Sequence, residues 1–290
     1  MASVYKTVTS DGASAKRDAK APGEKTRQEN KQRVLILSSR GVTYRQRHFL
    51  DDLSTLLPHG RKESKFDSKK KLYVLNELAE LYNCNNVLFL EARKREDLYM
   101  HLSKVPNGPT VKFHIQNLHT MEELNFTGNC LKGSRPILSF DAAFDQDPSF
   151  RLMRELLTHV FGVPKNARKA KPFIDRVLGF SIVDGKIWVR HYQIAEEDAA
   201  GAAEKNISLL EIGPRFCMTP MIIQEGSFGG AIIYENKQYV SPNLVRAELR
   251  RKAARRHSAR QAQVVEREVK KGRLQGSSKP DALDSRKLFA

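Results

Sequence analysis

The dipeptide Asp184-Gly185 lies between two alternating apolar runs in GFSIVDGKIWVRHY, residues 179–192. An Asp-Gly pair supplies the two adjacent positions tolerant of positive φ that a two-residue hairpin requires, so this stretch reads as two antiparallel strands joined by a tight turn. That hairpin rules out an all-helical chain. Downstream, ISLLEI, FCMTPMII and GGAIIYEN carry further short apolar runs, so the second half of the sequence is expected to end in antiparallel strands.

Helical signals are interleaved with these strands. RVLILSS, from Arg33, is a strand that Arg40-Gly41 turns into a helix starting near Thr43. Phe49, Leu50, Leu53, Leu56 and Leu57 fill one face at a period near 3.6, and Pro58 and Gly60 end it. A cationic loop, HGRKESKFDSKKK, leads to a second helix through Leu75, Leu78, Ala79 and Tyr82. NVLFLEA reads as a strand, REDLYMHLSKV as a short helix and TVKFHIQNL as a strand. From Arg135 the order strand, loop, helix returns, with Phe150, Met153, Leu156, Leu157 and Val160 inward, which suggests a duplicated α/β half. The fold class is therefore α/β, in the α+β sense. A basic loop, GVPKNARKAKPF, separates that helix from the hairpin and holds Lys165, Arg168, Lys169 and Lys171. The polar Ala/Glu-rich segment before ISLLEI reads as a surface insertion.

Charge is concentrated at the two ends. The chain has 50 Lys+Arg against 33 Asp+Glu, a net +17. Residues 1–33 carry net +4 and residues 241–290 carry net +9, leaving +4 for the body between them. Residues 1–32 are polar and aperiodic and are expected to be disordered. Ser241 can cap a helix and Pro242 suits its first turn. Asn243 to about Lys271 then has no breaker, giving roughly 29 residues or about 43 Å. Leu244, Val245 and Leu249 are expected to dock its first turns, while the cationic remainder projects toward a polyanion. Nucleic acid fits that partner better than a membrane, because the segment carries mostly Ala where an interfacial helix has Trp, Phe or Leu. Arg250, Arg251, Arg255 and Arg256 form a basic cluster that reads either as a nuclear import signal or as a solvated helix face.

Several chemistries find no support. Cys84, Cys130 and Cys217 are odd in number and widely spaced, which argues against a disulfide framework and a zinc module and for a reducing compartment. The N-terminus lacks the apolar core of a signal peptide, and no run has the length of a membrane span, so a cytosolic or nuclear protein is expected. No phosphate-binding glycine motif is present, and no cofactor is expected. His101, His114 and His119 lack the spacing of a helix-borne metal pair. Asp141, Asp145 and Asp147 are the best carboxylate cluster for a metal-dependent nuclease, but Asp147-Pro148 before a helix reads better as capping.

LLEIGPRFCMTPMIIQEG, residues 209–226, sets Gly213-Pro214-Arg215 between two apolar runs. Gly and Pro read as a turn, with Arg215 either a solvated flank or a guanidinium fork presented to phosphate or carboxylate. ISLLEIGPRFCMTPMII resembles the signature of the Brix-domain family of ribosome-assembly factors, and SSRGVTYRQRHFLDDLSTLLPHGRKESKFD is similar to that family's opening strand-helix block. Ile212 stands where the family usually has Leu. The resemblance covers about residues 33–240.

The resemblance implies two α/β halves, 33–130 and 131–240, each similar to an anticodon-binding domain, with sheets framing an RNA-binding surface; the basic helix and flexible tail of 241–290 follow beyond it. It implies a non-enzymatic factor that binds pre-rRNA of the large subunit in the nucleolus. It also implies work alongside ribosomal proteins, other assembly factors and a dedicated protein partner, for which the nucleolar EBNA-binding-protein homologue is the candidate. Clustered cations and helix N-termini suit phosphate oxygens, so RNA contact is expected at Arg40, Arg45, Arg47, Lys165, Arg168, Lys169, Lys171, Arg215 and the Arg250, Arg251, Arg255, Arg256 cluster. For Arg215 a structural role bracing one half against the other stays open beside the RNA or partner contact. A metal-dependent nuclease or a protein scaffold without RNA contact are the alternatives.

Overall fold

The computed structural model describes residues 32–67, 71–123, 126–164, 167, 169–197, 206–277, 283 and 285–289. The N-terminal segment expected to be disordered and the Ala/Glu-rich insertion thus lie almost wholly outside the described residues. The elements run β1 (Val34–Ser38), α1 (Tyr44–Leu56), β2 (Gly60–Lys62), α2 (Val74–Leu81), β3 (Asn86–Arg93), β4 (Asp97–Lys104) and β5 (Thr110–His119). There follow β6 (Pro136–Phe140), a 3-10 turn (Ala142–Asp145), α3 (Pro148–Phe161), β7 (Arg176–Val183), β8 (Lys186–Glu197), β9 (Asn206–Glu211), β10 (Arg215–Gln224), β11 (Ile232–Glu235), α4 (Pro242–Ser277) and α5 (Ser285–Leu288).

All eleven strands form one mixed sheet in the order β2-β1-β3-β4-β5-β10-β8-β7-β6, with β9 paired to β8 and β11 to β10. Apart from β2 at one edge, the order reads the same way from both ends. β1 pairs parallel with β3, and β6 parallel with β7; each pair is followed by antiparallel neighbours, and the two series meet where β5 pairs antiparallel with β10. α1 follows β1 as α3 follows β6, which gives structural form to the strand-helix echo in the sequence.

Local chemistry explains the boundaries. Thr43 and Gln46 form a reciprocal capping box that starts α1. Pro148 opens α3 after Asp147, which caps by backbone geometry without a side-chain bond. Asp184 and Gly185 have φ of 53° and 67° and close the β7–β8 hairpin.

One apolar core serves both series. Phe49 and Leu53 of α1, and Met153, Leu157 and Val160 of α3, bury the same sheet face together with Leu88, Met100, Phe113, Val189, Phe216 and Met218. The helices reach across: Phe49 of α1 meets Phe216 of β10 edge-on at 4.9 Å, and α3 lies against β3 and β4. On the opposite face α2 covers only the first half, where Leu75 and Ala79 pack on Leu35, Leu37, Val87 and Phe89.

Several sequence expectations are corrected. The segment expected as a short helix, REDLYMHLSKV, is largely β4, paired with β3 and β5 along its length. Leu98, Met100 and Leu102 face one core while Tyr99, His101 and Ser103 face the other side, so both faces are buried and pairing wins over a pattern that a helix could also satisfy. The cationic loop after α1 contains β2, which pairs parallel with β1. α4 extends to Ser277, past Gly272, which tolerates helical φ/ψ at a modest cost. Its first turns are not docked by apolar side chains: Leu244 and Leu249 are each 59% exposed. Instead Arg246 pairs with Glu96 and Asp97, and Lys94 donates to Asn243 Oδ1 at 2.9 Å. Ser241 does cap, accepting from Leu244 N at 3.4 Å. Among the described residues no helix is long and apolar enough to cross a membrane.

Candidate nucleic-acid interface

Gly213-Pro214-Arg215 is not a reversal of the chain. β9 and β10 both pair antiparallel with β8, β9 opposite Tyr192–Glu197 and β10 opposite Ile187–Val189, so the backbone continues in one direction through an offset. The turn reading fails because Gly-Pro marks any departure from regular strand, not only a reversal. At the offset Ile212 N donates to His191 O at 2.9 Å, and His191 Nδ1 donates to Gly213 O at 2.9 Å. Gly213 has φ +78°, and a Cβ there would meet the Phe126 ring at 2.6 Å, so the position requires glycine. Arg215 lies opposite His119, the last residue of β5. Its Nε is 3.2 Å from Glu211 Oε1, its guanidinium 5.4 Å from the Phe126 ring centre, and its side chain 37% exposed.

A buried cation that ties the end of α1 to the segment before β6 is Arg176, which sequence reasoning missed. It is 2% exposed, and its Nη2 donates to Leu56 O at 2.7 Å, at the end of α1, and to Ser134 O at 2.8 Å. Its Nη1 lies 3.5 Å from His191 Nε2. Burial lowers the guanidinium's pKa from its ordinary value, and burial together with that cation pushes His191 down to about 4, so the imidazole is neutral. A signal was present: Arg176 shares its alternation phase with Leu178 and Phe180, both inward.

The surface cations fall into three groups. Arg40 pairs with Asp67 beyond β1, Arg45 pairs with Glu123 beyond β5, and Arg47 projects from the first turn of α1 without an ion pair among the described residues. Arg45 and Arg215 are brought to the same strand end, since Arg215 faces His119 and His119 lies 3.8 Å from Glu123. Such exposed pairs are weak and exchangeable for phosphate. Lys169 and Lys171 are exposed on the loop that runs beside Gly133, where Lys171 N donates to Gly133 O at 2.7 Å. Lys165 and Arg168 lie outside the described residues. Arg250, Arg251, Arg255 and Arg256 stand apart from both groups on α4, where every described residue from Glu248 onward is exposed. Asp141, Asp145 and Asp147 do not converge: Asp145 pairs with Arg154, and no group of three His, Cys, Asp or Glu able to hold a metal occurs among the described residues. All three cysteines are free thiols.

A fourth feature is the second face of the sheet. Over the first half it is covered by α2 and by the 226–239 segment, where Phe228 N donates to Thr110 Oγ1 at 2.8 Å and Ser227 Oγ lies 2.7 Å from Ser103 Oγ. Beneath it a buried carboxylate, Glu91, is bound by His101, Arg93 and Lys112, which hold it far below the usual carboxylate range against the opposing effect of burial. Over the second half no helix among the described residues covers this face. Trp188, Arg190 and Tyr192 of β8 point there, since Ile187, Val189 and His191 point into the core. Apart from Glu211 beside Tyr192, their partners are small or apolar: Ser181 and Cys217 beside Trp188, Gly179 beside Arg190, Val177 beside Tyr192. Ile137 and Ser139 of β6 continue the face outward. A hydrogen bond to Tyr192 raises the pKa of the Arg190 guanidinium.

Comparison with known proteins places these features in a lineage. Residues 39–222 match the family described as the Brix domain. Over 293 residues, 100% of both chains, this sequence is 58% identical to the Ribosome biogenesis protein BRX1 of Saccharomyces cerevisiae. It is 60% identical over 240 residues to the Ribosome biogenesis protein brx1 of Schizosaccharomyces pombe, covering 83% of this chain and 81% of that one. Among solved structures, that of a probable ribosomal biogenesis protein from Aeropyrum pernix K1 covers 65% of this chain and 96% of its own, at 14% identity and a TM-score of 0.44.

Proposed function

The chain belongs to the Brix domain family and is a ribosome biogenesis factor, and from that premise we propose that it binds pre-rRNA of the large subunit in the nucleolus as a non-enzymatic assembly factor. In this reading residues 33–130 and 131–240 form the two halves of the RNA-facing body, and 241–290 forms a cationic arm. The observation that carries the RNA reading is α4. It is a helix of 36 residues whose cations face solvent and whose root is tied to the β3–β4 hairpin through Arg246. At 1.5 Å per residue it spans about 54 Å, and an unpacked cationic rod of that length gains little from folding against its own body. Phosphate supplies the missing counter-charge and releases condensed counterions on binding.

The cations at the end of β5, Arg45 and Arg215, and those at the start of α1, Arg40 and Arg47, would hold the backbone of the RNA. Lys165, Arg168, Lys169 and Lys171 would extend that contact along the basic loop. Ribosomal proteins, other assembly factors and a dedicated partner, with the nucleolar EBNA-binding-protein homologue as candidate, complete the proposed setting. The test is titration of the purified full chain against isolated pre-rRNA fragments in Mg²⁺. Saturable binding that weakens with salt and leaves the RNA intact is expected. Absence of binding would favour a protein scaffold and overturn the RNA assignment. A metal-dependent cut lost on changing Asp141, Asp145 and Asp147 to Asn would overturn the non-enzymatic one.

A further inference from the structure

We infer that the uncovered second-half sheet face, built on Trp188, Arg190 and Tyr192, is a platform on which unpaired RNA bases stack. The inference rests on the RNA-binding reading and assigns to this face a task different from that of the phosphate-binding cations.

Three observations converge on it. The sheet is nearly symmetric in strand order, yet among the described residues only its first half has a helix on this side, and none lies over the corresponding surface of the second half. On that surface the side chains are not the polar cover usual for a solvated sheet face. Trp188 and Tyr192 are half-buried aromatics on one strand, four residues apart, with Arg190 exposed between them. Side chains at i and i+2 on a strand stand about 6.6 Å apart, which places the indole, guanidinium and phenol in one row. Around the row the neighbours are short. Gly179, beside Arg190, would find only Arg190 O within 4 Å of an added Cβ, at 3.9 Å, so there is open space above it. Aromatic rings and guanidinium planes accept any base by its π-face, while duplex RNA hides those faces inside its stack.

Charge identifies the occupant. Arg190 and Lys186 lie on this face, and Arg215 stands at its edge beside Phe126, in a chain of net +17. Two acids share this face among the described residues: Glu211, opposite Tyr192 and held by Arg215, and Glu196, four residues beyond Tyr192 along β8. An aromatic face with a cationic border suits a polyanion that carries flat apolar groups, which describes single-stranded RNA.

Trp188 is the only tryptophan of the chain and therefore reports on the face directly. The full chain is titrated with an RNA oligonucleotide lacking self-complementarity, following anisotropy of an end label and tryptophan emission together. Saturable quenching of Trp188, with the same midpoint as the anisotropy, is expected. Tyr192→Ala should weaken binding about 5- to 150-fold, the range found when one stacked base is lost, while leaving the slope of log affinity against log salt unchanged. Gly179→Glu enters open space, should leave the thermal midpoint in place, and should block the face and its quenching. RNA binding without any change in Trp188 emission, or unaffected by Gly179→Glu, overturns the platform while leaving the RNA-binding reading intact. Equal quenching by inorganic polyphosphate, which has no bases, also overturns it. No binding of RNA by either signal defeats both.

Discussion

Replacement of Arg176 by Met tests whether this guanidinium fastens the two halves. The side chain is buried and its Nη2 makes two bonds of 2.7 and 2.8 Å, to Leu56 O and Ser134 O. Hydrogen bonds from a charged donor contribute about 1.5–3 kcal/mol each, so both together are worth about 3–6 kcal/mol. The Leu56 carbonyl ends α1, where the helix dipole also favours a cation. Against this, Met removes a buried charge whose desolvation costs stability, a gain of about 2 kcal/mol taken at the low end of the effective range. The expected net loss is about 3 kcal/mol. With a urea dependence of about 3 kcal/mol/M, the midpoint should fall by about 1 M. Circular dichroism and Trp188 emission should shift together, because α1 and α3 bury one core with strands of both halves. Arg215→Met is the control: a half-exposed pair with Glu211 predicts a loss of about 1 kcal/mol or less. An unchanged midpoint in Arg176→Met, or an equal loss in Arg215→Met, refutes the assignment of the brace to Arg176.

Acid should destabilise the fold through two buried histidines. Burial holds His59 and His191 at about 4 when folded, below the ordinary 6.5, so their contribution is complete above about pH 6.5 and lost as pH falls toward 4. By about pH 5 this amounts to about 2 kcal/mol per histidine. Urea midpoints that are equal at neutral pH and at this lower pH would contradict it. Truncation after Val240 should leave the thermal midpoint within about 2 °C, since α4 buries no apolar side chain, while weakening and flattening the salt dependence of RNA binding. A truncated chain with unaltered affinity at matched salt would remove α4 from the interface.

What the sequence revealed depended on whether a local cue coincided with a global one. Asp184-Gly185 stood out because its residues name the turn they make. The β3–β4 reversal did not, because it is made by Lys94 and Arg95, both at positive φ, which advertise no turn. With that cue missing, Leu98, His101 and Leu102 were as consistent with a helical stripe as with a strand buried on both faces. The Gly213-Pro214 signal was real but ambiguous, since only pairing with β8 shows that the chain does not turn back. The α4 cations were legible from composition alone. Its docking was not, because Arg246 meets Glu96 and Asp97 from a distant hairpin. The bare face was half legible: alternation in KIWVRHY separates Trp188, Arg190 and Tyr192 from Ile187, Val189 and His191, but not which row faces outward until α1 and α3 are placed.

The shared core also governs how this chain can be made. β5 closes its outer edge on β10, with Thr110 against Gln224, about a hundred residues later in synthesis. Phe49 waits still longer for Phe216. As the polypeptide leaves the ribosome N-terminus first, β1, β3, β4 and β5 can pair among themselves, but their apolar face and the β5 edge stay uncovered until α3 and β10 have followed. A nascent chain of this topology folds late and presents an open strand edge meanwhile, the state most prone to aggregate. Its yield in cells is therefore expected to respond to elongation rate and chaperone supply as well as to the stability of the finished molecule.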